Sequence, residues 1–191
     1  DDIETLHRRL TRRGLAPEAI ADGSNVDARS GATRRWRRTR ADGHGVKLFF
    51  VEPADAPPAS AATTDAPLTA LDHVVVTTPA PDRAAALYGA RLGLDMALDR
   101  TNPAWGSRLM FFRAGDMIVE VMHALKDGAG DGPDRLWGLS WRAADLAAAR
   151  TRLIGAGLDV SEIRTGRKPG TDVFTVRSGS MGVPTLVIGR T

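Results

Sequence analysis

The chain has 191 residues, of which 42% are hydrophobic and 26% are charged, with a formal net charge of +3. This balance is typical of a globular protein and excludes a chain that is disordered throughout. The absence of cysteine excludes disulfides, thiolate metal ligands and a cysteine nucleophile. No apolar run has the roughly 18 residues needed to cross a membrane, and no secretory leader precedes the first helix. We therefore expect a cytoplasmic protein without a membrane partner.

The N-terminal segment, residues 1–52, predicts one helix followed by three strands. Residues 2–15 form an amphipathic pattern with Asp2 at its start and Gly14 near its end, a favoured N-cap and a favoured residue after a helix. The segments "GATRRWRRTR" and "GVKLFFVE" that follow are typical of strands. The arginine run around Trp36 raises nucleic-acid binding as an alternative. Strand alternation spreads that run over two faces, and the rest of the chain is nearly charge-balanced, so we expect no nucleic-acid partner.

Residues 53–67 are rich in Pro, Ala and Thr, lack periodicity, and predict an extended linker. After this linker, "LDHVVVTT" predicts a strand, "PDRAAALYGARLGL" a helix, and "RLMFFRAGDMIVEVMH" two strands around a turn. We interpret residues 68–124 as one β-helix-β-β-β module.

The same order of elements returns in residues 135–191. The segment "LWGLSWRA" predicts an opening strand, and residues 145–158 repeat the spacing of residues 2–15, with Asp145 at the start and Gly157 near the end. The segments "GTDVFTVRSG" and "GVPTLVIG" predict later strands. The chain therefore contains two full modules, 68–124 and 135–191, and an incomplete N-terminal module that lacks its opening strand.

A single β-helix-β-β-β module leaves one face of its small sheet uncovered. Two modules placed edge to edge make a larger curved sheet whose open faces form a shared concave pocket, the usual form of a small-molecule site. We therefore expect an α+β fold in which residues 68–191 form one domain around such a pocket. The incomplete module needs a cover for its own open face, and we expect either a missing upstream module or a second subunit in a homodimer to supply it.

The paired modules resemble the vicinal oxygen chelate superfamily, which includes glyoxalase I, extradiol dioxygenases, methylmalonyl-CoA epimerase and bleomycin-resistance proteins. The segments that carry the resemblance are "LDHVVV", "DRAAALYGARLGL", "GDMIVEVM", "ADLAAARTRLIGAGLDV" and "GVPTLVIG". The resemblance implies a glyoxalase-like protein that acts on a small molecule. It does not by itself fix an activity, because the superfamily hosts many chemistries.

The resemblance also implies metal ligands on the first and last strands of each module. His73 and Glu120 stand at these positions in the middle module, and their donor atoms suit Zn, Mn, Fe, Ni or Co. The last module departs from the pattern, because Gly138 stands where a second histidine is expected and no acidic residue lies near Leu186. Both a bound divalent metal and the absence of any cofactor therefore remain open. Without metal, His73 and Glu120 are a candidate catalytic acid–base pair.

Candidate substrate-binding residues surround this pair. Trp105, in the loop "TNPAWGSR", is a candidate lid over a flat ligand. Arg167 and Lys168 lie in the loop "RTGRKPGTD" and suit an anionic substrate group, with a solvated turn as the alternative. Ser140 shares a strand face with Gly138, and Thr185 lies on the last strand of the last module, so both are further candidates.

Two functions fit these residues. The first is a metal-assisted lyase, isomerase or dioxygenase of the glyoxalase type, in which His73 and Glu120 hold the ion. The second is a metal-free protein that binds or sequesters a small molecule, as the bleomycin-resistance branch does. The paired His73 and Glu120 favour an enzyme, whereas Gly138 and the absence of a second carboxylate favour the binding protein.

Overall fold

The computed structural model describes residues 2–54 and 65–191. The chain divides into two compact units, one of residues 2–54 and 82–93 and one of residues 65–81 and 94–191. The sequence-based boundaries, 1–52, 53–67 and 68–191, stay a prediction. Residues 55–64 of the predicted linker lie outside the described residues.

The first unit contains the predicted helix and three strands of the incomplete module. The strands form an antiparallel sheet in the order β1-β2-β3. The elements of this unit are α1 (Ile3–Arg12), β1 (Ala21–Val26), β2 (Thr33–Gly43), β3 (Val46–Pro53) and, beyond the linker, most of α2 (Pro81–Ala85), which continues as a π-helix (Ala86–Arg91).

Helix α1 begins and ends where the sequence predicts. The Asp2 carboxylate accepts a hydrogen bond from the Thr5 amide at 2.7 Å, which satisfies a free N–H group of the first turn. Gly14 has a φ of 78°, the left-handed conformation that favours glycine after a helix. Ile3 and Leu10, seven residues apart, are buried on one side of the helix.

The arginine run of β2 is engaged with acidic residues of the same unit. Arg37 pairs with Glu4 of α1 and with Glu52 of β3, and Arg40 pairs with Glu18. These contacts pair two of the five arginines of the run with carboxylates.

The second unit is built on one eight-stranded mixed sheet, as the predicted fold class requires. Its strand order is β5-β6-β7-β4-β8-β11-β10-β9. The strands are β4 (Leu68–Thr77), β5 (Asp95–Asn102), β6 (Ser107–Ala114), β7 (Met117–Ala124), β8 (Arg135–Ala143), β9 (Arg164–Thr165), β10 (Thr171–Val176) and β11 (Thr185–Arg190), with α3 (Leu146–Gly155) between β8 and β9.

The two halves of this sheet are related by the pairing of their opening strands. Strand β4 runs antiparallel to β8 at the centre, whereas β7 runs parallel to β4 and β11 runs parallel to β8. His73 pairs with Ser140 as Gly138 pairs with Val75, so His73 and Gly138 occupy equivalent places in the two halves. By the same relation Glu120, beside Val75, corresponds to Leu186, beside Ser140.

Helix α3 covers one face of the second half. The Asp145 side chain accepts a hydrogen bond from the Ala148 amide at 2.8 Å, and Gly157 has a φ of 81°, as its cap pattern predicts. The helix packs with strand residues in one buried cluster. The buried residues of this cluster are Ala143, Leu146, Ala149, Leu153, Val160, Phe174, Val176 and Val187. The opposite face of the sheet is left for the pocket.

Gly138 lies where no other residue fits without a shift. A Cβ atom at this position would stand 2.8 Å from the carbonyl oxygen of Pro184, which also accepts the hydrogen bond of the Leu139 amide at 2.9 Å. That carbonyl is backbone, held by this hydrogen bond immediately before β11, so it cannot move aside as a flexible side chain would.

We expect Gly138→Ala and Gly155→Ala to change stability in opposite directions. Gly138→Ala should lower the free energy of unfolding by about 1–3 kcal/mol through overpacking. Gly155→Ala, in a helix where a Cβ atom meets nothing within 4 Å, should raise it by about 0.5–1 kcal/mol. Urea unfolding of both variants measures the difference, and equal effects would contradict the described fit at Gly138.

Candidate functional site

His73 and Glu120 lie side by side on neighbouring strands of the second unit. Glu120 of β7 pairs in register with Val75 of β4, two residues from His73, so both side chains point to the face of the sheet away from α3. Nε2 of His73 and Oε2 of Glu120 are 3.7 Å apart, and the side chains are 18% and 17% exposed. The two residues singled out from the sequence are thus brought together.

A third residue holds the other side of the imidazole. Asp72 Oδ2 lies 2.8 Å from Nδ1 of His73, and Asp72 Oδ1 accepts a hydrogen bond from Nε of Arg142 at 2.7 Å. Arg142 also donates to the backbone carbonyl of Asp116. Sequence reasoning missed Asp72 and Arg142, although the "DH" dipeptide places a carboxylate next to the histidine.

The surroundings shift the pKa values of Asp72 and Glu120 in opposite directions. Burial acts to raise the pKa of Asp72, but hydrogen bonds from Arg142 and His73 outweigh it and hold that pKa below its ordinary value. Burial raises the pKa of Glu120, and the positive charges of His73 and Arg167 offset this only in part. Asp72 is therefore a stable anion, whereas Glu120 retains its proton to higher pH than an ordinary glutamate.

One end of this face carries an open pocket of about 330 Å³. Trp105, which is 42% exposed, lies between the guanidinium groups of Arg100 and Arg167, whose Cζ atoms are 5.1 and 5.0 Å from the ring centroid. Arg167 and Lys126 line the pocket with Met122. Within the described residues, Arg100, Lys126 and Arg167 form no ion pair, so the pocket mouth has uncompensated positive charge.

Lys168 and its neighbour Arg167 line two different clefts. This second cleft has a volume of about 710 Å³ and reaches Asp72 and Arg142, with Arg190 also in its lining. The loop at residues 166–170 therefore contributes a cation to each of two openings. The structure places both predicted basic residues beside cavities.

Ser140 and Thr185 occupy different faces of the sheet. Ser140 pairs with His73, and its hydroxyl is fully buried without a hydrogen-bond partner among the described residues. Thr185 pairs with Leu139, on the face that α3 covers, and its hydroxyl donates to the Val183 carbonyl at 2.9 Å. The structure therefore brings Ser140 to the acid–base pair and does not bring Thr185 there.

The donors present do not fit a resident metal ion. Among the described residues, only Nε2 of His73 and Oε2 of Glu120 converge, whereas zinc sites have three or four protein ligands. In the other half of the sheet, Gly138 lies against Pro184 and Leu186 is apolar. Across residues 2–54 and 65–191 no group of three histidine, aspartate or glutamate side chains is arranged to hold an ion.

The family of the chain follows from a match over this same region. A family model described as the Glyoxalase/Bleomycin resistance protein/Dioxygenase superfamily matches residues 72–175, which is more than half of the chain. The chain belongs to this superfamily. The matched segment contains His73, Glu120 and Arg167, so the candidate site lies within the glyoxalase-superfamily domain.

Several solved structures have a similar fold. Methylmalonyl-CoA epimerase from Mycobacterium tuberculosis is 20% identical, with a TM-score of 0.56 over 70% of this chain and 94% of that one. A variant of the Streptomyces coelicolor epimerase, in complex with 2-nitronate-propionyl-CoA, is 18% identical, with a TM-score of 0.53 over 65% and 96%. A hypothetical protein from Bacillus halodurans C-125 is 15% identical, with a TM-score of 0.54 over 64% and 94%. At these identities the likeness establishes the fold and not the activity.

No curated protein matches the sequence. Within the described residues, no helix has the length and apolar character needed to cross a membrane.

We expect Glu120→Gln to stabilise the protein increasingly as pH rises. A carboxyl whose pKa is higher in the folded state stabilises the fold below its unfolded pKa, and this contribution is lost as pH rises through the folded value. Glutamine does not ionise, so the Tm of the variant relative to wild type should grow as pH rises above the ordinary glutamate pKa of about 4.

Asp99→Asn provides a control of opposite sign. A hydrogen bond from Arg108 lowers the pKa of Asp99, so this carboxylate stabilises the fold above its unfolded pKa. The Asn variant should therefore lose Tm at neutral pH and approach wild type in acid. A Glu120→Gln difference that is flat with pH, measured beside a working Asp99 control, would contradict a raised pKa at Glu120.

Proposed function

We propose that the protein is a metal-independent acid–base enzyme that transfers a proton on a small anionic carbonyl compound, an isomerase by reaction type. The observation that carries the proposal is the buried carboxyl of Glu120 3.7 Å from Nε2 of His73, whose other nitrogen is held by Asp72. Burying most of the Glu120 carboxyl without a hydrogen bond among the described residues costs stability. A role in proton transfer would account for this cost.

The proposed reaction begins with a C–H group beside a carbonyl. His73 accepts the proton on Nε2, and the electron pair of the C–H bond moves to the carbonyl oxygen to form an enolate. The cationic Arg167 lines the pocket on this face, and its charge lowers the pKa of Glu120. The same charge would stabilise the negative charge that develops on the oxygen. Glu120 returns a proton to carbon or oxygen, and His73 then passes its proton back to Glu120.

Uncompensated charge supports an anionic substrate. Arg100, Lys126 and Arg167 surround Trp105 at one opening, and Lys168 stands at the other. Guanidinium groups bind carboxylates and phosphates through paired hydrogen bonds. The epimerases of similar fold include one solved with methylmalonyl-CoA, a carboxylated thioester, which makes this class of compound a reasonable first probe.

A second candidate function is metal-free sequestration of a small molecule. Two features of the second half favour it: the equivalent of His73 is Gly138, closed by Pro184, and the equivalent of Glu120 is the apolar Leu186. These two residues offer apolar contact rather than acid–base or metal-ligating groups. The two functions differ in turnover and not in the site of binding.

Exchange of carbon-bound hydrogen tests the enzyme proposal. We expect the protein to catalyse loss of the proton beside the carbonyl of methylmalonyl-CoA or a small 2-oxo acid in D2O, followed by ¹H NMR. Glu120→Gln and His73→Gln should lower the rate by about 10²-fold or more. Glu162→Gln, whose side chain is 87% exposed, is the matched control and should keep the wild-type rate.

Binding and turnover together separate the two functions. Saturable binding without any exchange, across a panel of carboxylated carbonyl compounds, would favour sequestration. Exchange that survives in both Glu120→Gln and His73→Gln would contradict the assigned acid–base roles.

Addition of divalent metals tests whether His73 and Glu120 are too few ligands to hold an ion. We expect Zn²⁺, Mn²⁺, Fe²⁺, Ni²⁺ and Co²⁺, each at about 50 µM, to cause no His73-dependent rise in Tm. A ligand at 100 times its dissociation constant would raise the free energy of unfolding by about 2.7 kcal/mol, so real binding would be visible. A rise that is present in wild type and lost in His73→Ala would contradict a metal-free site.

A further inference from the structure

We propose that Asp72 and Arg142 are positioning residues that fix the proton of neutral His73 on Nδ1, so that Nε2 is the free acceptor facing Glu120. The inference deepens the acid–base function proposed above and rests on it for its purpose. Its geometry stands on the hydrogen bonds of three side chains, which can be tested without a substrate.

The first step is the position of Asp72 in the strand. Leu71 pairs with Trp141 and His73 with Ser140, so Asp72 is an extra residue in β4 at a β-bulge. Bulges redirect side chains and are frequent beside active sites. Here the bulge lets one carboxylate reach both the imidazole of its neighbour and the guanidinium of Arg142.

The second step is the direction of the hydrogen bonds. Asp72 is ion-paired with Arg142, whose Nε lies 2.7 Å from Oδ1. An ionised carboxylate only accepts hydrogen bonds, so Oδ2 at 2.8 Å from Nδ1 requires a proton on that nitrogen. In the neutral ring the other nitrogen is then an acceptor. Nε2 lies 3.7 Å from Oε2 of Glu120.

The third step is the role of Arg142. A guanidinium only donates, and Arg142 donates from Nε to Oδ1 of Asp72 at 2.7 Å and from Nη2 to the Asp116 carbonyl. With both contacts made, the atom at the Oδ1 position of residue 72 has to be an acceptor. Arg142 thereby fixes which carboxylate oxygen faces His73.

This arrangement makes a sharp prediction for Asp72→Asn. The amide oxygen must face Arg142, because an NH₂ group there would oppose a second donor, and the NH₂ group is then left facing Nδ1 of His73. Nδ1 has to accept from it, so the ring proton moves to Nε2. The isosteric variant should therefore invert the tautomer and block Nε2 as a base.

Long-range ¹H–¹⁵N NMR of the ¹⁵N-labelled full chain, at a pH where His73 is neutral, reads the tautomer directly. The His73→Gln spectrum assigns the signals among the four histidines. We expect Nδ1–H in wild type and Nε2–H in Asp72→Asn, with the tautomer ratio changed by about tenfold or more. Nδ1–H retained in Asp72→Asn, or Nε2–H found in wild type, would overturn the proposal.

Arg142→Ala supplies the control that a merely structural role would not satisfy. Alone, it should keep Nδ1–H, because Asp72 still accepts. Combined with Asp72→Asn, it frees the amide to rotate, and the ratio should return toward Nδ1–H. A double variant that keeps the full inversion of Asp72→Asn would remove Arg142 from the proposal.

Two further measurements keep the outcome interpretable. The signals of His7, His44 and His123 should be unchanged, which shows that the variants fold. If Asp72→Asn does not fold, Asp72→Ala replaces it and should abolish the fixed preference for Nδ1–H; a preserved preference would overturn the proposal. The tautomer result stands without turnover, so a positive NMR result with no hydrogen exchange would remove the reaction and retain the positioning pair.

Discussion

The antiparallel pairing of β4 with β8 is the constraint on which the rest of the second unit depends. It joins two halves that each have a parallel strand on the far side, and it sets His73 opposite Ser140 at the centre of the sheet. Because side chains alternate along each strand, this register also decides which residues share the uncovered face. A shift of one residue in this pairing would turn His73 toward the face that α3 covers.

The two halves of the sheet have the same strand arrangement but different residues at the equivalent positions. His73 and Glu120 stand in the first half, and their equivalents in the second half are Gly138 and Leu186. The Pro184 carbonyl leaves no room for a side chain at Gly138. The second half therefore lacks both a metal-ligating side chain at this position and the space for one. The site is therefore one-sided, and in the proposed reaction the cation that would stabilise the developing charge is Arg167.

Local and repeated features made much of this architecture predictable. Aspartate caps and glycine termini placed α1 and α3, because each depends on a few residues adjacent in sequence. Period-two alternation and the repeat were enough to put His73 and Glu120 on opening and closing strands of one module. The assignment of residues 82–93 to the first unit was not predictable, because it depends on packing between segments far apart in the chain.

Asp72 shows why part of the site was hidden from the sequence. Regular alternation places adjacent residues on opposite faces, so Asp72 would point away from His73, and only the bulge in β4 brings the carboxylate to the ring. Its second partner, Arg142, is 70 residues distant along the chain and meets it only through the β4–β8 pairing. The same irregularity that defeats a pattern-based prediction thus supplies the orientation that acid–base chemistry needs. A regular β4 without the bulge would still place His73 on the same face as Glu120. No side chain would then fix which nitrogen of the ring carries the proton.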